Sequence, residues 1–528
     1  MKRVLVFVFL TGFALTAQAE SFKILGSRAA GMGGAYVAVT GDSKSSTDAV
    51  TAYWNPAALG MHKGVDIELV AGAGLEATGG LLNSAKKISD LATRYSNIKT
   101  AEKNGSYLTL REIQAFADGI KNLNDLNASD VGLIGDINGG LNILGGRGAV
   151  TINDFTSFGA DPNVDFNNLF LGSSSSAGTT SGNAGVDLSQ LPATTGVSTA
   201  TPSNGDLATA STTLSDTIST LATSAGVNLG GYTSQQIANA VVNYASTTGG
   251  MSTTDIVSAV ATIKDAQPIL EQYLKGNKLD FSKNDSNITL KGISVIEAAF
   301  SYGRSLSSQN ELFKNIYWGV GLKYLYGEVG YYKEKILEQS VSSSSDISSD
   351  YSTNTESSSN IGVDIGLLWD LKSKLRSRVG LVAKNINSPK FNWPAAATND
   401  GITGKYEIAP QYRAGAAMWL FNWWLVSCDY DLTKNKTPVD GYNNQMLGAG
   451  TEIDLFNQKG FNLALRGGVY ENTAVKKAPL TYTLGLGINL LHLTVDISAA
   501  QSTDKVEVQD GKKIPSEARA AIAIGLNF

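Results

Sequence analysis

Apolar and polar residues alternate one by one over many segments of this chain. Between Leu480 and Leu490 every even-numbered position is apolar, and every odd one is Thr, Gly or Asn. From Ala518 to the last residue, Phe528, the alternation returns. A period of two residues is typical of β-strands, whose successive side chains point to opposite faces. The segments are close to the roughly 9–11 residues that a transmembrane strand requires.

The pattern predicts about fourteen strands. An even number places every long connection on one side of the sheet and the short turns on the other, as in bacterial barrels. The second and third strands are the weakest, because Asp or Asn interrupts their apolar faces. The predicted strands are 65–76, 133–145, 147–159, 286–304, 315–332, 358–371, 377–388, 409–420, 423–433, 443–455, 461–471, 479–489, 491–502 and 517–528.

A soluble sandwich also alternates, but three features favour a closed transmembrane barrel. The polar face carries many glycines, which suits a crowded lumen. The last strand ends on the aromatic Phe528, which resembles the C-terminal signal of bacterial outer-membrane barrels. Aromatic residues form two belts, as expected at the two membrane surfaces. They are Trp369, Trp419, Phe421, Trp423 and Trp424 at one end, and Tyr331, Tyr332, Tyr430, Tyr442, Tyr470 and Tyr482 at the other.

Two long external connections, 77–132 and 160–285, carry helical signals. Apolar residues recur at helical spacing in 81–99, 110–126, 234–246 and 252–275, and Thr253 to Asp255 is the expected cap of the last segment. Residues 171–232 are rich in Ser, Thr, Gly and Ala and are predicted to be flexible, as is 340–360. The helical insert would form either a cap over the barrel or a surface for a protein partner.

The N-terminus has the three parts of a secretory signal peptide. Lys2 and Arg3 precede an apolar stretch, 4–17, and Ala17-Gln18-Ala19 is a cleavage signal. Residues 1–19 are therefore predicted to be removed after Ala19. No later apolar run reaches the roughly 18 residues of a transmembrane helix. We expect an all-β protein of the cell outer membrane, in contact with its lipid, with a barrel over 62–528.

Composition narrows the classes of function. The 42 Lys and Arg and 47 Asp and Glu give a net charge of −5 without a basic cluster, so nucleic acid is not an expected partner. One cysteine, Cys428, excludes an intramolecular disulfide. Two histidines, His62 and His492, leave little for a metal, and we predict no metal and no cofactor. No catalytic constellation is visible, so an enzyme is not expected.

Residues 20–61 precede the first strand and carry two small-residue motifs. The first, Arg28 to Val39, contains Gly31, Gly33 and Gly34; the second, Ala52 to Leu59, contains Asn55, Pro56 and Ala57. The glycine spacing, G-x-G-G, matches neither the G-x-G-x-x-G motif nor the Walker A motif of phosphate-binding loops. Small residues would allow this segment to pack closely inside a narrow lumen as a hatch.

These two motifs resemble the N-terminal plug of the FadL-type transporter family of long-chain fatty acids. They also resemble two sister groups, the TraF-type proteins named for plasmid conjugation and the PorV-type subunit of a secretion system. Residues 411–417 and 463–472 look closest to the sister groups, and 171–275 departs from a fatty acid transporter. The resemblance implies a 14-stranded outer-membrane barrel, closed by an N-terminal hatch, that passes hydrophobic molecules.

Several charged residues fall on the inward face of the predicted strands, and Cys428 falls on the lipid face. Because buried charges need partners, we interpret them as a network that holds the hatch. The alternative is that Arg413, Arg466 or Arg519 binds a ligand carboxylate, which guanidinium groups recognise with two hydrogen bonds. The other inward residues are Asp66, Glu68, Lys323, Asp364, Glu452, Asp454, His492 and Asp496.

Two functions remain open at this point. The first is passive transport of an apolar, fatty-acid-like small molecule through the barrel. The second is a non-transporting adaptor of a conjugation or secretion system, which would bind protein partners through 77–132 and 160–285.

Overall fold

The computed structural model describes most of the chain. The described residues are 21–39, 49–79, 81, 109–128, 130–165, 198–226, 229, 231–275, 285–306, 315–335, 350–371, 376–458, 460–507 and 513–528. The predicted signal peptide, 1–19, and nearly all of the predicted helix at 81–99 lie outside them.

Fourteen of the described strands close into one antiparallel barrel, which confirms the predicted fold. Each strand pairs with the next one along the chain, and β14 pairs with β1 from Asp66 opposite Asn527 to Glu76 opposite Glu517. Closure leaves no strand edge unpaired. The strands are β1 (Val65–Thr78), β2 (Gly132–Gly145), β3 (Gly148–Asn163), β4 (Asn287–Ser305), β5 (Ile316–Lys335), β6 (Thr355–Asp370), β7 (Arg376–Lys384), β8 (Gln411–Phe421), β9 (Trp424–Asp431), β10 (Met446–Gln458), β11 (Phe461–Asn472), β12 (Thr481–Leu490), β13 (Leu493–Ser502) and β14 (Glu517–Asn527).

The two faces of the barrel wall differ as the alternation predicts. Outward side chains are apolar and exposed; Leu484, for example, is 72 % exposed. Near the short turns, Phe421, Trp423 and Trp424 stack with ring centroids 5.3–6.2 Å apart, in the position of an aromatic belt. Inward side chains are buried and many are polar. The apolar exterior identifies a wall that faces lipid.

The strand boundaries differ from the predicted ones by up to four residues, for example at β3, which ends at Asn163, and at β10, which begins at Met446. β6 begins at Thr355, inside the segment expected to be flexible, because it pairs with β5 as far as Gly330. β7 ends at Lys384, four residues early, and Asn385 has a positive φ of 51°. Residues 340–349 lie outside the described residues.

The N-terminal segment lies inside the barrel. Its described residues, 21–39 and 49–61, are called the hatch below; they include α1 (Ser27–Gly31), α2 (Thr51–Trp54) and a 3-10 helix (Pro56–Gly60). Gly33 has a φ of 66°, and a Cβ there would stand 2.7 Å from the Val469 carbonyl oxygen and 2.8 Å from that of Ala449. Only glycine allows the hatch backbone to approach β10 and β11 this closely.

Four helices pack together beyond the barrel end that carries the long connections. They are α3 (Leu110–Asp125), α4 (Gly205–Ala225), α5 (Ser234–Thr247) and α6 (Thr253–Lys275), and they share one apolar core. The side chain of Asn127 exchanges hydrogen bonds of 2.6 and 2.8 Å with the backbone of Val164, which ties this helical bundle to the end of β3. None of the described helices is long and apolar enough to cross a membrane.

Helix α4 contradicts the expectation that 171–232 is flexible throughout. Asn204 caps it by accepting hydrogen bonds from the backbone of Asp206 and Leu207, and Gly226 ends it with a φ of 66°. Several threonine hydroxyls donate to the carbonyl four residues earlier, which satisfies them within the helix. At α6 the cap is Ser252, whose hydroxyl accepts from the Asp255 backbone, and not Thr253. Residues 171–197 lie outside the described residues.

Two long connections fold back into the barrel. Residues 385–410 contain the paired segments Lys390–Phe391 and Tyr406–Glu407 and helix α7 (Ala395–Asn399). Phe391 and Ile408 of this connection pack against Ile293, Val295, Leu325 and Val329 of β4 and β5. Residues 432–445 form a second inward hairpin, with Asn435–Lys436 paired to Asn443–Asn444. The lumen is thus filled from both ends.

Candidate functional site: the hatch and the lumen wall

The hatch backbone is held by polar side chains of β9. One Asp429 carboxylate oxygen accepts hydrogen bonds from the backbone N–H groups of Tyr36 and Val37, at 2.7 and 2.8 Å. The Ser427 hydroxyl donates to the Ala35 carbonyl at 2.9 Å. The backbone of this segment of the hatch is therefore fixed by side chains of the wall.

The Asn-Pro-Ala motif joins the two halves of the hatch to the wall. The Asn55 amide nitrogen donates to the carbonyls of Val37 and Leu367, at 3.2 and 3.1 Å, and its oxygen accepts from the Ala57 N–H at 3.1 Å. Pro56 follows as the first residue of the 3-10 helix, where its missing N–H costs nothing. A Cβ at Gly319 would collide with the backbone of Pro56 and Ala57, so a wall glycine makes room for the motif.

A chain of buried charges links α1 to three strands. Arg28 of the hatch binds Glu452 of β10 with two hydrogen bonds, Nε to Oε2 at 2.8 Å and Nη2 to Oε1 at 2.6 Å. Arg466 of β11 binds the same carboxylate at 2.6 Å and also pairs with Asp496 of β13. Arg28 in addition donates to the Tyr36 hydroxyl at 2.9 Å. Glu452 therefore lies between a hatch guanidinium and a wall guanidinium.

Arg413 of β8 makes a second link to the hatch. Its Nε lies 2.5 Å from Asp431 Oδ1, and its Nη1 donates to the Gly34 carbonyl at 3.4 Å. The guanidinium carbon lies 4.0 Å from the centre of the Phe22 ring, in a cation–π contact. The Met446 backbone N–H occupies the other Asp431 oxygen at 2.9 Å.

Arg519 belongs to a third cluster at the other side of the lumen. It pairs with Glu517 at 2.6 Å and with Asp136 at 3.3 Å. Asp136 also binds Lys23 of the hatch at 2.7 Å. All three arginines that were ligand candidates thus pair with carboxylates of the chain itself, and binding of a ligand by them stays a prediction.

The remaining inward residues are mostly where the alternation placed them. Asp66, Glu68, Lys323, Asp364 and Asp496 are buried and Asp454 is half-buried, whereas Cys428 is exposed on the outer face. His492 was expected in the lumen, and this is wrong. It lies exposed in the turn after β12, where its ring stacks on Phe528 at 5.4 Å and Nδ1 contacts the Asn527 carbonyl oxygen. No group of metal-ligating side chains occurs in the described ranges.

A cavity of about 60 Å³ lies between the hatch and the wall, and is called the hatch cavity below. One side is apolar, and the other carries charged groups. Lys323 pairs there with Glu297 at 3.1 Å and with Asp364 at 2.9 Å, and Lys23 is paired with Asp136. Its apolar lining is Phe155, Ile293, Val295, Leu325 and Ile408.

Lys384, like Lys23 and Glu297, is a residue of this cavity that the sequence analysis did not predict. It is 3 % exposed, and its ammonium lies 2.9 Å from the ring centre of Tyr53 and 4.7 Å from that of Phe22. In the described part of the chain no carboxylate pairs with it. The alternation of β7 does place Lys384 on the inward face, together with Arg378, Gly380 and Val382. Its partner, a hatch tyrosine, could not be read from this alternation.

Tyr53 connects this cation to the hatch. Its hydroxyl donates to the Lys23 carbonyl at 2.7 Å, and its ring stacks on Phe155 at 5.2 Å. Burial, together with the negative charge of Glu297, raises the pKa of the Tyr53 phenol, so it remains a neutral donor. A molecule in the hatch cavity would contact Lys384 and Tyr53 together.

These features define a class of protein, a membrane barrel whose lumen is closed by an ion-paired N-terminal hatch. A family model described as the F plasmid transfer operon TraF protein matches residues 52–431. The chain belongs to this family, and the predicted resemblance is confirmed for its TraF-type branch.

Three solved structures illustrate the similarity of overall form. The CymD monoaromatic hydrocarbon channel has 10 % identity and a TM-score of 0.37, with 96 % of this chain and 98 % of that one covered. The Pseudomonas putida toluene transporter TodX has 10 % identity and a TM-score of 0.35, with 96 % and 99 % covered. A Pseudomonas aeruginosa FadL homologue has 9 % identity and a TM-score of 0.37, with 97 % and 98 % covered. No curated protein matches the chain in sequence.

The first prediction concerns the charge that holds α1. Glu452→Gln leaves Arg28 without its carboxylate, and breaking a buried ion pair costs about 3–5 kcal/mol. We expect backbone amides of 27–36 to exchange with deuterium at least tenfold faster, while the amides of the barrel strands keep their protection. Hydrogen exchange with mass spectrometry measures both.

The matched control is Glu297→Gln. Glu297 is also buried and ion-paired, but its partner Lys323 belongs to the wall. An unchanged hatch in the Glu452 variant, or an equal acceleration in both variants, would contradict the role given to Glu452.

Proposed function

We propose that this protein is an outer-membrane barrel that admits hydrophobic small molecules with a negatively charged head group, using the hatch as its gate. The hatch cavity is the observation that carries the proposal. Its apolar wall suits an alkyl or aryl body, and Lys384 supplies a buried amino group without a carboxylate partner in the described residues. An anionic ligand would stabilise the charged form of this amino group.

The size of the hatch cavity supports a gated passage. About 60 Å³ is far below the roughly 300–1,000 Å³ of ordinary ligand pockets. Ser21, Lys23 and Tyr53 of the hatch form part of its lining, so a shift of the hatch would enlarge the space. Ligand binding and hatch displacement would then be coupled, because a ligand favours the conformation that it fits.

The three arginines of the lumen are alternative partners for the ligand head group in this proposal. Once the hatch shifts, Arg413 loses its contacts with Phe22 and Gly34 and would face the passage, with Arg466 and Arg519 further along the wall. Substitution of each by Ala, with binding measured, distinguishes them from Lys384 as the head-group partner.

The second prediction tests the hatch cavity with laurate as the probe. Val295→Trp places an indole in a space that is smaller than an indole, so the affinity for laurate should fall at least tenfold. Lys384→Met should lower the affinity for laurate by about tenfold, which corresponds to the loss of one charge-assisted hydrogen bond. The affinity for dodecanol should stay the same. Isothermal titration of the purified barrel measures both ligands.

Ile296→Trp is the matched control for the first variant. Ile296 adjoins Val295 on β4 but is 46 % exposed on the lipid face, whereas Val295 is 6 % exposed in the lumen. Equal affinities for laurate in both tryptophan variants would overturn the proposal, and so would an equal loss of dodecanol binding in the Lys384 variant.

The helical bundle favours a second candidate, an adaptor that binds a protein partner. The family description names a plasmid transfer operon, and α3 to α6 form a separate folded unit with its own core beyond the barrel. A passage for small molecules does not require such a unit. In this reading 77–132 and 160–285 present a docking surface outside the cell.

The third prediction tests the adaptor function by substituting two adjacent residues of α6, one buried and one exposed. Ile256 is fully buried in the bundle core and Val257 is 42 % exposed. Ile256→Ala should destabilise the bundle by about 2–5 kcal/mol, and Val257→Ala by less than about 1 kcal/mol.

An adaptor predicts that only the Ile256 variant loses the protein complex seen by crosslinking in intact cells, while laurate binding by the barrel stays the same. Retention of the complex in a variant whose bundle is shown by proteolysis to be unfolded would exclude the bundle as the docking surface.

A further inference from the structure

A second cavity, of about 330 Å³, lies at the barrel end that carries the long connections. We call it the mouth cavity. The ends of β1, β11, β12 and β14 form one side of it, and Tyr442, Asn444 and Met446 form another. These three residues belong to the inward hairpin 432–445 or follow it directly. The hairpin therefore has empty space along one of its sides.

The opposite side of the hairpin is packed against β2 and β3. Val439 is 1 % exposed and contacts Ile134 and Tyr442. A Cβ at Gly159 would stand 2.8 Å from the Pro438 Cβ, and one at Gly132 would stand 2.7 Å from a Val439 methyl group. Two wall glycines thus create the seat in which the tip of the hairpin rests.

Several side-chain contacts hold the hairpin in this seat, among them a 2.7 Å hydrogen bond from the Asn472 amide nitrogen of β11 to the Asn443 carbonyl. Asp440 lies 2.6 Å from the Lys291 ammonium, which also binds Asp161 of β3 at 2.9 Å. The Asp440 side chain is 83 % exposed, so water competes for this contact. On the other side the Tyr442 hydroxyl donates to Glu76 of β1. Burial and the Glu76 carboxylate raise the pKa of the Tyr442 phenol, which keeps it a donor.

Hydrogen bonds within the hairpin would allow it to move as one rigid unit. The Thr437 hydroxyl donates to the Tyr442 carbonyl at 2.8 Å, and Asn435–Lys436 pairs with Asn443–Asn444. Its base is fixed, because Asp431 at the end of β9 accepts from the Met446 N–H at the start of β10. Motion about this base would carry the tip out of its seat without breaking the barrel.

We propose that residues 432–445 form an external gate, closed in this structure, that swings on the Asp431–Met446 base between the glycine seat and the mouth cavity. Opening removes Val439 from above Ile134 and exposes the lumen beneath to the outside. The gate is a separate segment from the hatch, which closes the lumen from the other side. The two are linked at the base of the gate, where Asp431 binds Arg413 and Arg413 donates to the Gly34 carbonyl of the hatch. The gate does not rest on the ligand proposed above, since its motion can be observed with no ligand present.

The test measures access to a cysteine below the gate. Ile134→Cys is introduced into a Cys428→Ser background, and the intact protein in outer-membrane vesicles is exposed to a membrane-impermeant maleimide. Gly159→Ala adds a methyl group that collides with Pro438 and should hold the gate open. We expect labelling of residue 134 at least fivefold faster than in the matched control Gly148→Ala, where a Cβ would stand 3.8 Å from its nearest neighbour on the same strand.

Asp440→Asn provides a second variant at an exposed side chain, so the result does not depend on tolerance of the strand substitution. It removes the ion pair with Lys291 and should also accelerate labelling, by a smaller factor. Heat-dependent gel migration checks that each barrel is folded. Labelling of both folded variants at the rate of the Gly148→Ala control would overturn the proposal, because the hairpin would then be a fixed part of the wall.

Discussion

The arrangement of the lumen depends on one buried carboxylate, Glu452, held between a guanidinium of the hatch and a guanidinium of the wall. Charges removed from water are costly unless they are paired and hydrogen-bonded. Arg28 therefore has one place in the lumen where its charge is matched, and α1 must lie there. The small residues around it, Gly31 and Gly33 among them, follow from this position, since a backbone pressed against β10 to β12 has no room for side chains.

The lumen has two chemically different sides. The ion pairs that hold the hatch lie on β8 to β14 and at Asp136 of β2. Ile293, Val295, Leu325 and Val329 give β4 and β5 an apolar surface beside the Lys323–Glu297 pair. The hatch is bound to the polar side by ion pairs, and on the other side its Asn-Pro-Ala motif packs closely against Gly303 of β4 and Gly319 of β5.

The sequence alone predicts the barrel well because alternation is a local property of each strand. It places Glu452, Arg466 and Asp496 on the inward face, but it cannot say that Arg28, which lies 424 residues before Glu452, is their partner. That contact depends on the register of many strands. Helix α4 was missed because serine and threonine usually favour loops, and only the packing of Leu207 and Leu214 against other helices shows its role. His492 was misplaced because a turn, Leu491 with a φ of 58°, breaks the phase of the strand.

The most direct test of the account is a double-mutant cycle between Arg28 and Glu452, with Arg28→Gln, Glu452→Gln and the two combined. The measured quantity is the free energy of local opening of residues 27–36, obtained from hydrogen exchange. If the pair fixes the hatch, the second substitution costs little once the first is made, and the coupling free energy exceeds about 1 kcal/mol. Additive effects, within about 0.5 kcal/mol, would contradict the account, because the hatch would then be held by its other contacts.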